Sequence, residues 1–563
     1  MILNGKSAAP GFAVGNVYIY NNNSKTPVEN FISAGDIQSH LDHYEQVKTL
    51  ALTALDKLRL SMQKHDPEKA LIFFAHQEIV DDVIINEEIP ARITNDLWSG
   101  DWAIYQVYET VLAVLRKTAD PLIAERASDF DDVRALLLQL WYGEENEKRA
   151  FLTEPVIIAG REILPSFAAD LDTDKVLAII TEKGGETSHA AIIAKSFGIP
   201  TVLGMQGLLK SVKQGQKVAV NADEGFVILD PLEETAAEYA KKSETYKREK
   251  AETEIYLDKE ALTACGARID IGLNIANAGS DLRLAERTDS VGVFRTEYLY
   301  MGRDTLPSEE EQFSAYRKVL ETYGKRPVIL RTLDIGGDKN LSSTNIPREE
   351  NPFLGTRALR LCFDYPEIFK TQLRAALRSS VYGNLWLMLP MVGSIDDIRR
   401  ANEIITAVKK ELEDEGTPAS DFKTGIMIEI PSIALISGAA AKEVDFASIG
   451  TNDLCQYLCA ADRMNSAVEE YYQSYHPALF SLIKDTVSAF TNAGKPISIC
   501  GELGSDIKAI PLLIGLGLRK LSMSSASIAA VKRAISQITL KQCESLAAKA
   551  LECATASEIK ELL

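Results

Sequence analysis

Six histidines occur in the chain, and one of them stands where an imidazole could do chemistry. His189 lies in GGETSHAAIIAKS (184–196), directly after the strand-like VLAIITEK, so a strand leads through a glycine pair into a helix start. Gly184 and Gly185 permit a tight turn and the close approach of another surface. Thr187 and Ser188 are candidate caps, and free N–H groups at such a helix end favour an anion carried on the ring. A nucleophilic histidine that holds phosphate fits this setting; so does a capping turn whose histidine is incidental, and the residues alone leave both readings open. His40, His43, His65, His76 and His476 sit in helical or tyrosine-rich surroundings where packing or solvation is the default. A second group comes from the ends of strand-like segments: Arg295, Arg331, Glu429, Asp453 and Cys500. Two guanidiniums suit phosphate and carboxylate, because the planar fork takes two oxygens at once. Two carboxylates from neighbouring strands suit Mg²⁺, which takes one or two protein carboxylates plus substrate oxygens. Asn452 and Arg463, just after the sixth segment, complete a phosphate clamp. Any one of these charges alone reads as a salt-bridged barrel residue; their convergence on one rim favours a site. Cys500 in ISICGELGSD is the thiol on that rim; a buried cysteine reads by default as a small hydrophobe, and a proton donor to a reacting carbon is the other reading this place allows. Cys362 and Cys543 read as small buried hydrophobes, and Cys455 and Cys459 as packing residues without metal-site partners.

These positions require elements to hold them. From about residue 260 onward, strand-like and helix-like segments alternate: 268–275, 290–298, 326–335, 385–392, 425–431, 444–453, 496–502 and 518–524. Eight such strands, each followed by a helical stretch, predict a (β/α)₈ TIM barrel over 260–563, with the site at its C-terminal mouth. Residues 34 to about 145 read as helices, with Ile37, Leu41, Tyr44, Val47, Ala51, Leu55, Leu58 and Met62 stepping by threes and fours, and Ile104, Tyr108, Val111 and Leu115 likewise. β-like runs flank them at 8–20, 155–159, 176–180 and 217–231. The expected arrangement is a multidomain α/β chain. Residues 1–22 plus 146–230 form an α/β domain, 23–145 an inserted helical domain, and 231–259 a linker helix, of which 232–259, with no Gly or Pro, reads as one polar spacer about 40 Å long at 1.5 Å per residue.

Composition excludes several classes. The 563 residues are 46% hydrophobic and 25% charged, the balance of a soluble globular protein. The longest apolar candidate, AIPLLIGLGL (509–518), is too short to span a membrane, and the N-terminus lacks the pattern of a secretory signal. Acids outnumber bases 80 to 61, which argues against a nucleic-acid binder and suits a partner with a basic face. The seven cysteines form no CxxC pair, so no disulfide framework is expected and a reducing cytoplasm is the expected compartment.

Long stretches then carry a resemblance: VGVFRTEYLYMGRD (291–304), VILRTLDIGGDK (328–339), EENPFLGTRALRL (349–361), IMIEIPS (426–432), IGTNDLCQYLCAADR (449–463) and ISICGELGSD (497–506). The chain resembles the Enzyme I family of the bacterial sugar phosphotransferase system, and does so from AAPGFAVG at the N-terminus to near its end. The resemblance implies that phosphoenolpyruvate binds in the barrel with Mg²⁺ held by Glu429 and Asp453. It implies that Arg295, Arg331, Arg463 and Asn452 grip the substrate with Arg357 in support, that His189 attacks phosphorus through Nε2, and that Cys500 protonates the enolate to pyruvate. It further implies transfer to a histidine of the carrier HPr docked on the helical insertion, a swivelling His189 domain, and a homodimer through the barrel. The acidic stretch EIVDDVIINEE (78–88) is a candidate contributor to that docking, with a solvated helix face as the other reading. Three positions depart from the family pattern: Glu186 replaces a base near His189, Ala168 a threonine, and Cys455 a threonine of the metal-site loop. They bear on transfer rate and phosphorylation equilibrium. A dikinase-like enzyme would need a nucleotide-binding domain ahead of His189, and no GxxxxGK[ST] loop occurs. A non-catalytic paralogue that binds HPr or another partner would have no need of the intact set of site residues.

Overall fold

Side chains of a β-strand alternate between its faces, so a sheet covered on both sides splits its apolar residues into two cores. The first half of the chain does this. The computed structural model describes residues 1–20, 27–63, 67–117, 121–143, 154–161, 163, 175–184, 194, 198–276, 278, 281–301, 305–336, 349, 351–463 and 465–563. It divides into two compact units, Met1–Lys250 and Ala251–Leu563. The first opens with β1 (Ile2–Asn4), β2 (Lys6–Ala9) and β3 (Phe12–Tyr20), continues with helices α1 (Ile37–Gln63), α2 (Pro67–Val80), α3 (Val83–Asn95), α4 (Gly100–Lys117) and α5 (Pro121–Trp141), and returns to strands β4 (Val156–Gly160), β5 (Val176–Thr181), β6 (Thr201–Leu203), β7 (Lys217–Asn221) and β8 (Phe226–Leu229). The sheet order is β1-β8-β7-β3-β4-β5-β6-β2. β3 pairs in parallel with β4, so the chain leaves the sheet after Tyr20, makes the helices, and re-enters beside its point of departure. Ile157, Ala159, Ala178 and Ile180 pack on one face with Val218 and Val227. Ile158 and Ile179 face the other way, into the same apolar core as Tyr44, Val47, Ala51 and Leu55 of α1. On α4 Ala103, Ile104, Tyr108 and Leu112 are fully buried; Val111 and Leu115, expected on that face, are only half buried.

The polar helix ends earlier than its composition suggests. It spans Glu233–Glu254 and tightens into a 3-10 turn at Ile255–Asp258, which shortens the helix to about 33 Å. Its first turns are packed, contrary to the reading as a bare spacer. Tyr239 and Tyr246, seven residues apart and so on one face, meet the Phe12 ring edge-on at 6.2 and 6.3 Å.

In the second unit β9 (Asp270–Ile275), β10 (Ser290–Arg295), β11 (Pro327–Arg331), β12 (Asn384–Leu389), β13 (Lys423–Ile428), β14 (Phe446–Ile449), β15 (Ile497–Ile499) and β16 (Lys520–Met523) close into a ring, each parallel to its neighbours. Alternation again sorts the side chains. Leu385, Leu387, Leu389, Ile426 and Ile428 face the surrounding helices. Val293, Ile329, Trp386, Met388, Met427, Phe446 and Cys500 fill the interior. Gly425 leaves the space for the Phe446 ring, which a Cβ there would meet at 2.5 Å. Capping boxes at Ser308 and Ser394 start two of the outer helices. Among the described residues no helix is long and apolar enough to cross a membrane.

Candidate active site at the C-terminal mouth of the barrel

Parallel closure brings all eight strand ends to one rim, and the charged residues there line a cavity of about 690 Å³. Arg295 and Arg331 are the last residues of β10 and β11, while Glu429 and Cys500 directly follow β13 and β15 or lie one residue beyond the final strand position. Arg357, Asn452, Asp453 and Arg463 line the same space. Asp453 arrives differently from the expected strand end: β14 stops at Ile449, and Thr451–Cys459 is a helix with Asn452 and Asp453 in its first turn. Gly450 makes the switch possible beside the carboxylate, since a Cβ there would stand 3.0 Å from Glu429 Oε2.

The deepest charges interlock. Arg331 pairs with Glu297 and, at 3.0 Å, with Asp334. Arg357, 2% exposed, donates through Nε and Nη2 to Asp334 at 2.9 and 3.2 Å, and through Nη1 and Nη2 to Asp453 at 3.3 Å each. Burial opposes both guanidinium charges, yet the surrounding carboxylates hold them protonated well above the usual range. Gly336 lets this happen: it has φ 114°, and a Cβ would lie 2.8 Å from the Arg357 backbone. Glu429 accepts from the Met391 N–H at 2.6 Å through Oε1, while its buried Oε2 has no hydrogen-bond partner. Burial, then the proximity of Asp453 and Asp334, pushes its carboxyl up to about 8.

This donor set fits a divalent cation. Two guanidiniums face four carboxylates, Glu297, Asp334, Glu429 and Asp453, leaving an excess of two negative charges when all are ionised. The unpartnered Glu429 oxygen is the open ligand position. Among the described residues no three or more His, Cys, Asp or Glu side chains cluster as a complete cage. Two carboxylates with further positions left to substrate and water suit a hard divalent cation.

Around this cluster stand the groups left for an anion. Arg295 lines the cavity without a carboxylate partner among the described residues, and Arg463 has only a 3.9 Å approach to Asp453, with its buried Nε unpartnered. Asn452 is held by a two-way link with Glu502, donating to Oε1 at 3.2 Å and accepting from its N–H at 3.0 Å. The Cys500 thiol is buried and donates to Ile449 O at 3.6 Å. Burial raises its pKa, so the thiol stays protonated near neutrality, the state a proton donor needs.

His189 lies outside the described residues, as do Glu186 and Ala168; beyond the end of β5 the described chain runs on to Gly184, at φ 113°. Four other histidines have structural partners: His40 accepts from Gly100 N–H at 3.0 Å, His43 stacks on Trp141 at 4.2 Å, buried His76 lies 3.5 Å from Asp129, and His476 caps its helix. Cys455 is buried and its sulfur lies 4.0 Å from that of Cys459. Sequence reasoning passed over Glu297 and Asp334, although each follows a selected arginine by two or three residues. It also missed Tyr457, which donates to Phe353 O at 2.6 Å beside Arg357.

The fold and this rim define a phosphoenolpyruvate-utilising enzyme, and the chain matches that group's three family descriptions in order: the N-terminal region over residues 4–126, the mobile domain over 152–225 and the PEP-binding domain over 250–540. Curated relatives named phosphoenolpyruvate-protein phosphotransferase align with the whole chain. Those of Staphylococcus carnosus strain TM300 and Listeria monocytogenes serovar 1/2a are each 38% identical over 100% of this chain and 98% of their own, and that of Staphylococcus aureus is 38% identical over 100% and 99%. The chain belongs to the phosphoenolpyruvate-protein phosphotransferase family.

Proposed function

We propose that the chain moves the phosphoryl group of phosphoenolpyruvate to Nε2 of its own His189 and then to a histidine of the carrier HPr, releasing pyruvate as the first step of sugar phosphotransfer. The observation that carries this is the rim itself: an acidic pair with an open ligand position, two arginines left for an anion, and a protonated thiol, all on one cavity. Arg295, Arg331 and Arg463 hold the phosphate and carboxylate, and Asn452 orients them. Arg357 acts through Asp453, fixing the carboxylate that with Glu429 would hold Mg²⁺. When bound, that cation draws charge from the phosphoryl oxygens and so eases transfer. The P–O bond to the enol oxygen breaks as the N–P bond forms, and the enolate takes the Cys500 proton at C3, so the products are phosphohistidine and pyruvate.

The domain roles follow the same reading. Residues 1–22 plus 146–230 carry His189, 23–145 dock HPr, 231–259 connect, and 260–563 bind substrate and pair two chains into a homodimer. Docking is supported by Val83 and Ile84, which are exposed among the acids of 78–88 and suit a carrier face that is basic around an apolar centre. Labelled phosphoenolpyruvate with Mg²⁺ is expected to give an acid-labile, alkali-stable phosphoprotein whose label maps to 184–196. ATP is expected to give none. Label from ATP alone would establish a dikinase-like reaction, and no label from either donor a non-catalytic binding protein.

A further inference from the structure

Protonating the enolate leaves Cys500 as a thiolate, 7% exposed, with substrate occupying the cleft above it. It must regain a proton each turnover. Interiors of such barrels are usually filled with branched aliphatic side chains, yet the inward positions next to Cys500 carry buried hydroxyls: Ser448 on β14, Ser498 on β15 and Ser522 on β16. A buried hydroxyl is unfavourable unless bonded, so three together ask for a reason. Two of them form a directed link. Ser448 and Ser498 are register partners across the parallel pair β14–β15, and Ser498 Oγ donates to Ser448 Oγ at 3.0 Å. The Ser448 proton is thereby turned away from Ser498. Cys500 stands two residues above Ser498, hence on the same inward face, beside Ser448 of the paired strand β14. At its other end Ser498 lines a cavity of about 20 Å³ at the N-terminal mouth, among the strand-start residues Asp270, Ser290, Pro327 and Lys520. That is room for a single water.

We propose that Cys500 is reprotonated through the barrel axis, along Ser448 and Ser498, from water at the mouth opposite the active site. The inference rests on Cys500 as the acid in the proposed function. Sγ takes the Ser448 hydroxyl proton, Ser448 Oγ takes that of Ser498, Ser498 Oγ takes one from the lower-cavity water, and the hydroxide so left takes a proton from bulk solvent at that mouth. One solvent proton thus enters per pyruvate formed, and each serine ends as it began. Ser448 and Ser498 are positioning residues, since they act on substrate only through the thiol.

The test uses the full chain with phosphoenolpyruvate and Mg²⁺, following protein labelling and pyruvate formation in single turnovers in H₂O and D₂O. Ser498→Ala and Ser448→Ala are each expected to slow pyruvate formation relative to labelling by about tenfold or more, with an altered solvent isotope effect. Ser498→Thr, which keeps a hydroxyl, is expected to restore most of the rate; a merely structural role of Ser498 would leave the isotope effect at the parent value. If both alanine variants keep the parent ratio and isotope effect while Cys500→Ala is slow, the relay is overturned and the acid role of Cys500 stands. If Cys500→Ala also matches the parent, the acid assignment fails and the relay fails with it.

Discussion

Phosphoenolpyruvate is expected to leave no acid-labile label on a His189→Ala chain, a loss of at least about a thousandfold against the parent, since the variant lacks the nucleophile on which covalent transfer depends. The nature of the bond makes the measurement specific. A phosphoryl group on imidazole nitrogen is lost in acid because protonation turns the ring into a neutral leaving group, whereas an ester on Thr187 or Ser188 survives. Acid treatment therefore separates true loss of the acceptor from relocation to a neighbouring hydroxyl. The barrel rim is untouched by the substitution, so phosphoenolpyruvate with Mg²⁺ is still expected to raise the unfolding temperature of the variant. Acid-labile label at parental stoichiometry on the variant would remove His189 from the acceptor role. His40, His43, His76 and His476 are poor substitutes, being held by Gly100, Trp141, Asp129 and a helix start respectively. Glu186, three residues before His189, bears on the equilibrium of this step and not on its acceptor. A like charge repels the phosphoanion by only about 1 kcal/mol at 4 Å in water, and salt reduces that further.

The barrel was legible because each of its strands is a short apolar run bounded by turn signals and followed by a helical stretch, and closure then fixes which end carries the chemistry. Arg295, Arg331, Glu429 and Cys500 could accordingly be chosen by position alone. Asp453 reaches the rim by a different route from the one its sequence suggests: VDFASIGTND reads as one strand, but the chain turns at Gly450 and presents Asn452 and Asp453 from a helix start. Arg357 is beyond the reach of strand-end reasoning. It lies after β11 in sequence and joins the rim only because Gly336 admits its backbone, so it came from family resemblance instead. Asp334 is within reach, since an arginine buried at a strand end needs a carboxylate and Arg331 has this one three residues on, whereas Glu297 reaches Arg331 from the neighbouring strand's end, 34 residues earlier. The packed start of the connecting helix was hidden for another reason. Its burial depends on Phe12, more than two hundred residues away in sequence, and two tyrosines in a charged helix give little periodic signal.

Two substitutions within the buried cluster are expected to act on stability with opposite signs. Arg357→Met removes the cation bonded to both Asp334 and Asp453. Breaking a buried pair by deleting one partner costs about 3–5 kcal/mol, because the remaining charges stay buried, so the barrel is expected to unfold at markedly lower denaturant and labelling to be lost. Glu429→Gln puts a neutral amide where burial, then Asp453 and Asp334, push the carboxyl up to about 8, so the cost of ionising that carboxyl is removed and the side chain still accepts from Met391 N–H. In the absence of Mg²⁺ this variant is expected to be at least as stable as the parent. What it loses is the response to ligand. A ligand at a hundred times its Kd stabilises the parent by about 2.7 kcal/mol, and Mg²⁺ with phosphoenolpyruvate is expected to give Glu429→Gln little of that gain and almost no label. Denaturation curves of both variants, with and without Mg²⁺ and substrate, measure all four quantities. If metal-free Glu429→Gln were the less stable of the two, the Met391–Glu429 hydrogen bond would outweigh charge balance in holding the rim, and the excess of negative charge could not be what prepares the site for a cation.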